Sequence, residues 1–288
     1  MTTFSIAGLQ LSAVNGDNVD SMLAEIDKAV ARFPWLDMVV LGELNACGTN
    51  TSKAEPMPGP TELRFCEIAQ KHGVWLIPGS MLEAEKGLVY NTTPVICPDG
   101  AVISRYRKQF PWMPYEGGVT PGDQFTVFEV PDVGRFGISI CYDMWFPETI
   151  RTMAWMGAEV ILHPTLTSTI DRDAEIAMIR AHAAMNQVYF FDVNVAGPLG
   201  VGQSCIAGPG GEVIYQAEKT REIIPLKLDF NYLHDVRKNG WQNLGQPLKS
   251  FRDSKVKFPP YSEGYDSESL RALGPIRMAN TAKSRKDK

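Results

Sequence analysis

The sequence predicts an α/β fold with mixed sheets, and three observations carry that expectation. Short β-branched or aromatic runs alternate along the chain with segments of helical periodicity. Two turn sequences, Pro98-Asp99-Gly100 and Pro209-Gly210-Gly211, each separate a pair of such runs as a hairpin turn does. With 288 residues and 44% hydrophobic side chains, the chain can build a sizeable core, as one large domain or two average ones.

The order opens with a strand over 4–9. In the next segment Val19, Met22, Leu23, Ile26, Val30 and Phe33 recur at helical spacing behind Asn18, a residue suited to cap the first turn. The run at 38–41 reads as a buried strand ending at Gly42-Glu43, and a helix over 61–72 followed by a strand over 74–78 repeats the rhythm. Strands over 89–97 and 101–107 flank the first turn sequence and form a hairpin.

An alternating strand over 135–140 runs into Cys141. A helix follows from Pro147, with proline in its first position, Glu148 in its first turn and Gly157 past its end. Cys141 is thereby expected on a strand-to-helix elbow. A strand over 159–163, a helix over 171–187, a strand over 188–195, a hairpin over 203–208 and 212–215 and a last strand around 222–228 complete the order. From about Lys249 the sequence turns polar and proline-containing and finishes in SRKDK, so it divides into a domain over 1–248 and an extended or flexible arm over 249–288.

A formal net charge of -5 supplies no basic field for a phosphate backbone, which argues against a nucleic-acid partner. The N-terminus has no basic segment ahead of a long apolar run, and no stretch approaches the roughly 18 apolar residues of a membrane span. Five widely separated cysteines (Cys47, Cys66, Cys97, Cys141, Cys205) contain no C-x-x-C pair and suit a reducing compartment. The expectation is a cytoplasmic protein without a membrane partner. Four scattered histidines (His72, His163, His182, His234) offer no i, i+4 ligand pair, so neither a metal nor another cofactor is expected.

Three contexts place a reactive group at the end of a predicted strand: Gly42-Glu43-Leu44, Tyr106-Arg107-Lys108 and Ile140-Cys141-Tyr142-Asp143. A carboxylate, an ammonium and a thiol are what covalent amide hydrolysis needs. The carboxylate can take the thiol proton, and the fixed positive charge can stabilise a tetrahedral oxyanion. Spacing alone does not bring the three together.

GELNACG, YRKQFPW and GISICYDMWFPE resemble, in order, the three signature segments of the nitrilase superfamily of carbon-nitrogen hydrolases. RAHAAMNQVYFFDVNVAG and GQSCIAGPGGEV resemble two further segments of that family, and the likeness spans about residues 4–228. The resemblance implies a four-layer α-β-β-α sandwich, usually paired into a homodimer or higher homo-oligomer through the helix after the nucleophile, with Met153, Trp155 and Met156 as anchors. It also implies roles: Glu43 as general base, Lys108 as oxyanion stabiliser, Cys141 as the nucleophile that forms a thioester, the backbone N–H of Tyr142 at the oxyanion, and Glu116 as a second glutamate supporting the acid–base pair.

Phe110-Pro111-Trp112 and Tyr115-Glu116-Gly117 resemble aliphatic amidases and formamidases, whereas CYDMWFPE is closer to the general amidase branch. Tyr142-Asp143 stands where nitrilases proper carry Trp-Glu, which argues against a nitrile substrate. Met144 and Trp145 stand where carbamoylases tend to carry paired arginines that grip a carboxylate. A wall of Trp112, Trp145 and Phe146 suits a neutral acyl group, and the remaining candidate substrate-facing residues are Tyr115, Tyr142, His163 and Thr165. The loops over 113–121 and 165–170 set the room available.

Each residue also has a plainer reading. Cys47, Cys66, Cys97 and Cys205 read as small buried hydrophobes, Asp143 as a structural partner of the elbow, and His163 more readily as a satisfied structural histidine than as a pocket residue. A papain-like pair of Cys141 with His163 or His182 lacks its local signature. The functional expectation is an amidase acting on a small aliphatic amide. The alternatives are a hydrolase of N-carbamoyl compounds and a catalytically idle scaffold.

Overall fold

A computed structural model describes residues 3–264 and 266–278. The first half of the chain builds one sheet from β1 (Thr3–Gln10), β2 (Met38–Leu41), β3 (Trp75–Ile77), β4 (Met81–Glu85), β5 (Leu88–Ile96) and β6 (Val102–Arg107), with α1 (Val19–Arg32) and α2 (Pro60–His72) as crossovers. The second half builds another from β7 (Thr126–Val130), β8 (Gly134–Ile138), β9 (Val160–Thr165), β10 (Tyr189–Asn194), β11 (Cys205–Ala207) and β12 (Val213–Gln216), with α3 (Pro147–Trp155) and α4 (Asp171–Asn186) between strands. β13 (Glu222–Asp229) then returns to pair antiparallel with β1, giving the order β13-β1-β2-β3-β5-β4 with β6 on β5, beside a second sheet ordered β12-β11-β10-β9-β8-β7.

The layers follow from the two-residue period of the central strands. On β1 and β2, Phe4, Ile6, Met38 and Val40 face the other sheet, where Phe136, Leu162, Phe191 and Val193 meet them. The alternate residues Ala7, Leu9, Val39 and Leu41 face outward and pack under α1 and α2 through Met22, Ile26 and Phe65. On the far side Ile161 and Phe190 lie under Ile150, Met153, Ile179 and Ala183 of α3 and α4. A strand buried on both faces is apolar at each position unless a polar side chain finds an internal partner, which is why β2 reads as a continuous run rather than an alternation. The result is the four-layer α-β-β-α sandwich.

Several boundaries differ from expectation. The strand before the elbow stops at Ile138, two residues early, because Asp143 accepts the Ile140 backbone N–H at 2.9 Å and turns the chain into a 3-10 turn, Cys141–Trp145. β4 and β7 were not anticipated: Met81–Glu85 has a helix-like composition and becomes a strand through its pairing with β5. A helix α5 (Phe230–Asn239), also unanticipated, is capped by Asp229, which accepts from the backbone of Asn231 and Tyr232 at 2.8 and 3.2 Å. Asp229 and the closing Gly240 are the signals that mark it.

The expected boundary at 248 falls inside a helix, α6 (Pro247–Asp253). Phe251 of α6 sets its ring edge-on to Trp155 at 5.3 Å. Beyond α6 the described residues are almost all exposed and mostly irregular, with a short α7 (Glu268–Arg271); the expectation for 279–288 lies outside the described residues. Of the three suggested interface anchors, Met153 is a core residue at 1% exposure, whereas Trp155 and Met156 are exposed. Among the described residues, no helix is long and apolar enough to cross a membrane.

Candidate active site

Strand ends from both sheets meet at one place. Gly42 makes the approach possible, because a Cβ there would lie 2.6 Å from Val195 Cγ2 and 3.2 Å from the Thr165 carbonyl oxygen. The next residue, Glu43, donates its backbone N–H to that same carbonyl at 3.3 Å, which ties the end of β2 to the end of β9. Leu44 (φ 48°) and Cys141 (φ 47°) both occupy the left-handed region, so the two turns that present the carboxylate and the thiol are held in conformations that side-chain-bearing residues seldom adopt.

Glu43, Lys108 and Cys141 converge on one cavity of about 730 Å3. Lys108, 1% exposed at the end of β6, donates from Nζ to Glu43 Oε1 at 2.8 Å and to Glu116 Oε2 at 2.7 Å. Asn91 of β5 donates from Nδ2 to Glu43 Oε1 at 2.8 Å and more weakly to Glu116 Oε1 at 3.4 Å. The second oxygen of Glu43 accepts the Leu166 backbone N–H at 2.9 Å. Glu116 is fixed in turn by the backbone N–H of Trp112 at 2.5 Å. One ammonium thus lies between two oriented carboxylates.

Burial pushes the Glu43 carboxyl above its usual range; Lys108 pulls it back and Glu116 adds to the rise. Burial also works against the Lys108 ammonium, but the facing charges of Glu43, Cys141 and Glu116 outweigh it and hold the lysine well above its ordinary value. The Cys141 thiol is driven well up by burial and then by Glu43, against the pull of Lys108. The resting centre is a thiol, an ammonium and a carboxylate with raised proton affinity. That carboxylate is suited to take a proton from the sulfur.

The turn carrying Cys141 is locked to the lysine strand by Asp143. Fully buried, Asp143 accepts from the Tyr106 hydroxyl at 2.7 Å, the Phe110 backbone at 2.9 Å and the Ile140 backbone at 2.9 Å. Burial pushes its carboxyl up to about 6 despite these donors. Tyr106 and Phe110 flank Lys108 in the chain, so one side chain sets the thiol turn and the lysine segment relative to each other. The structural reading of Asp143 therefore describes its contacts.

Trp112, Tyr115, Tyr142 and Trp145 line the cavity as expected, and Glu116 joins them. Phe146, His163 and Thr165 do not, and for each the geometry gives a reason. Phe146 stacks on Phe110 with ring centroids 3.6 Å apart, outside the wall. His163 is fully buried between the sheet and α4, with Nδ1 at 2.6 Å from Ser139 Oγ, and burial drives its pKa down to about 3. Thr165 is fully buried and donates its hydroxyl to Asp192 at 2.8 Å, which leaves its backbone carbonyl to hold Glu43. Leu166 and Thr167 belong to the 165–170 loop expected over the site, whereas Asn91 and Glu175 were not anticipated; of these two, Asn91, a polar amide within an otherwise strand-forming run, carries a sequence signal.

A family model described as carbon-nitrogen hydrolase matches residues 6–238. The chain belongs to that family. Omega-amidase NIT2 of Homo sapiens is 30% identical over 258 residues, covering 82% of this chain and 92% of that protein. A formamidase of Bacillus thuringiensis (strain Al Hakam) is 28% identical over 266 residues, covering 85% and 80%. Among solved structures, Saccharomyces cerevisiae Nit3, a member of branch 10 of the nitrilase superfamily, superposes with a TM-score of 0.76 at 26% identity over 82% of this chain and 94% of that one. A carbon-nitrogen hydrolase from Helicobacter pylori G27 does so with a TM-score of 0.77 at 26% identity, covering 89% and 97%. The resemblance in the signature segments is thereby established as membership, and the carbon-nitrogen hydrolase has the fold of its relatives. Among the described residues, no group of three or more His, Cys, Asp or Glu is arranged to hold a metal ion.

Proposed function

We propose that this carbon-nitrogen hydrolase cleaves the C–N bond of a small aliphatic amide to a carboxylic acid and ammonia through a thioester on Cys141. The observation that carries the reading is the Lys108 ammonium buried between Glu43 and Glu116 in the same cavity as the Cys141 thiol. In the first half-reaction Glu43 accepts the thiol proton, and the thiolate attacks the amide carbon. Lys108 and the backbone N–H of Tyr142 stabilise the oxyanion. Collapse breaks the C–N bond, and Glu43 returns its proton to the departing nitrogen. A water then takes the place of ammonia; Glu43 removes its proton, the hydroxide attacks the thioester, and the acid leaves as the thiol is restored. Glu116 positions Lys108 and, through Asn91, the base.

Among the described residues, the charged side chains on the cavity wall are Lys108 and the carboxylates of Glu43, Glu116, Asp171 and Glu175. Lys108 is already shared by two of them, so a substrate carboxylate would enter a negative cavity without a free cation. This favours neutral short-chain amides over N-carbamoyl amino acids. Ammonia release across formamide, acetamide, propionamide, butyramide, aromatic amides and N-carbamoyl amino acids tests the order. The neutral short amides are expected to lead the carboxylate-bearing compounds by at least about tenfold in kcat/KM. Turnover confined to the carbamoyl compounds, with carbon dioxide formed alongside ammonia, would reverse the assignment.

The base must be ionised to accept the thiol proton, and Glu43 is raised by burial. Activity is therefore expected to fall with acid along a limb whose midpoint lies above the ~4.3 of a solvated glutamate. A kcat/KM profile that stays flat down to about pH 4 would exclude a buried glutamate as the base.

A further inference from the structure

The cavity wall holds a second buried carboxylate to which the reaction above gives no task. Glu175, in the second turn of α4, is 3% exposed and lines the same cavity as Cys141. Its Oε2 accepts from Arg172 Nη1 at 3.1 Å; Arg172 is also paired with Asp192 of β10 and donates to the Gln203 carbonyl at 2.8 Å. Its Oε1 accepts the Thr167 hydroxyl at 3.0 Å. The Thr167 Oγ1 in turn lies 3.9 Å from Cys141 Sγ, within reach of a hydrogen bond to sulfur.

Proton inventory sets the direction of this chain. An ionised carboxylate only accepts, and a threonine hydroxyl has one proton to give. That proton goes to Glu175, so the lone pairs of Thr167 are what face the sulfur. Asn194 clamps the Thr167 backbone on both sides, accepting from the Thr167 N–H at 2.8 Å and donating to the Thr167 carbonyl at 3.1 Å, and the bond to Glu175 sets the hydroxyl on that fixed backbone.

We propose that Thr167, oriented by Glu175, is a positioning residue for the nucleophile: its hydroxyl accepts the thiol proton in the resting enzyme and fixes the sulfur in the orientation from which Glu43 takes that proton. The proposal rests on the reading of Cys141 as nucleophile. A cysteine side chain has three staggered orientations, and one fixed acceptor selects among them without contributing a reacting atom. Glu43, Lys108 and Glu175 are the charged groups that face the sulfur, and Glu175 itself faces Arg172 and Asp192. Of these, Glu175 adds negative charge that opposes thiolate formation. The arm therefore keeps the sulfur protonated and aimed until substrate arrives.

Two measurements on the full chain test this: kcat and KM on the best amide of the series above, and the pH dependence of iodoacetamide labelling at Cys141, read by peptide mass with Cys141→Ala as blank. Thr167→Val is expected to lower kcat by about fivefold to tenfold, the size of one ordinary hydrogen bond, while KM moves by less than about twofold. Thr167→Ser, which restores the hydroxyl, is expected to recover most of the lost kcat. Glu175→Gln removes the opposing charge and is expected to move the labelling midpoint to lower pH.

Wild-type kcat and an unshifted labelling profile in Thr167→Val would overturn the proposal, as would an unmoved midpoint in Glu175→Gln. Should Thr167→Val fail to fold because its new methyl faces the Glu175 carboxylate, Thr167→Ala removes the hydroxyl without that methyl and carries the same expectation. If the wild type releases ammonia from no amide, the catalytic reading has failed. The labelling profile then still decides whether the Thr167 arm controls the sulfur.

Discussion

Lys108→Met is expected to cost the protein both its turnover and a large share of its stability. The ammonium is 1% exposed and donates to Glu43 at 2.8 Å and Glu116 at 2.7 Å. Methionine fills similar volume but leaves two carboxylates facing each other without the cation that offsets their burial. Breaking a buried ion pair from one side costs about 3–5 kcal/mol, far more than the net worth of the intact pair. The loss depends on pH in a definite sense. Without Lys108 the Glu43 carboxyl, already raised in the folded state, rises further above its unfolded value. A group with a raised folded pKa favours folding when protonated, so the deficit is smallest in acid and grows as pH rises through the folded value. Urea unfolding at two pH values measures this, and ammonia release is expected to fall by at least about 10²-fold with the oxyanion partner gone. A variant as stable as wild type at neutral pH and still turning over would mean that the ammonium is neither buried between the acids nor needed by the oxyanion.

Cys141→Ala is expected to separate chemistry from folding. The side chain lies at the cavity wall, 9% exposed, and its loss removes one sulfur without stranding a charge. The backbone already adopts its φ of 47° with a Cβ present, so alanine adds no new strain there. Thermal unfolding should therefore shift little, while ammonia release falls by about 10⁴-fold or more, as for other covalent nucleophiles. In wild type, rapid acid quench during turnover of a slow amide should add the acyl mass to the peptide containing residue 141. Residual turnover near the wild-type rate, or the acyl mass on another cysteine, would remove Cys141 from the mechanism.

What the sequence by itself determined is local. The alternation of strand and helix, the two hairpins, proline at the start of α3, and the three reactive residues at strand ends all follow from patterns within about a dozen residues, where periodicity and turn chemistry act directly. The resemblance of the signature segments added the layer order, which the fold shares with its relatives, and the roles proposed for Glu43, Lys108 and Cys141. Helix α5 and strands β4 and β7 escaped because a short element with ordinary propensity becomes definite only when a neighbour pairs with it or caps it.

Tertiary structure alone decided which side chains share the site. Lys108 meets Glu43 across 65 positions and the Leu166 backbone meets it across 123, distances over which no periodicity carries information. His163 ends the predicted strand and Thr165 opens the predicted loop, yet both are fully buried behind the wall while Leu166 and Thr167, the next residues along, line the cavity. In a strand covered on both faces every position is apolar or internally paired, so composition no longer reports which face a residue takes. Only the packing of the second sheet against the first assigns those faces, and with them the place of Glu175 and Thr167 beside the nucleophile.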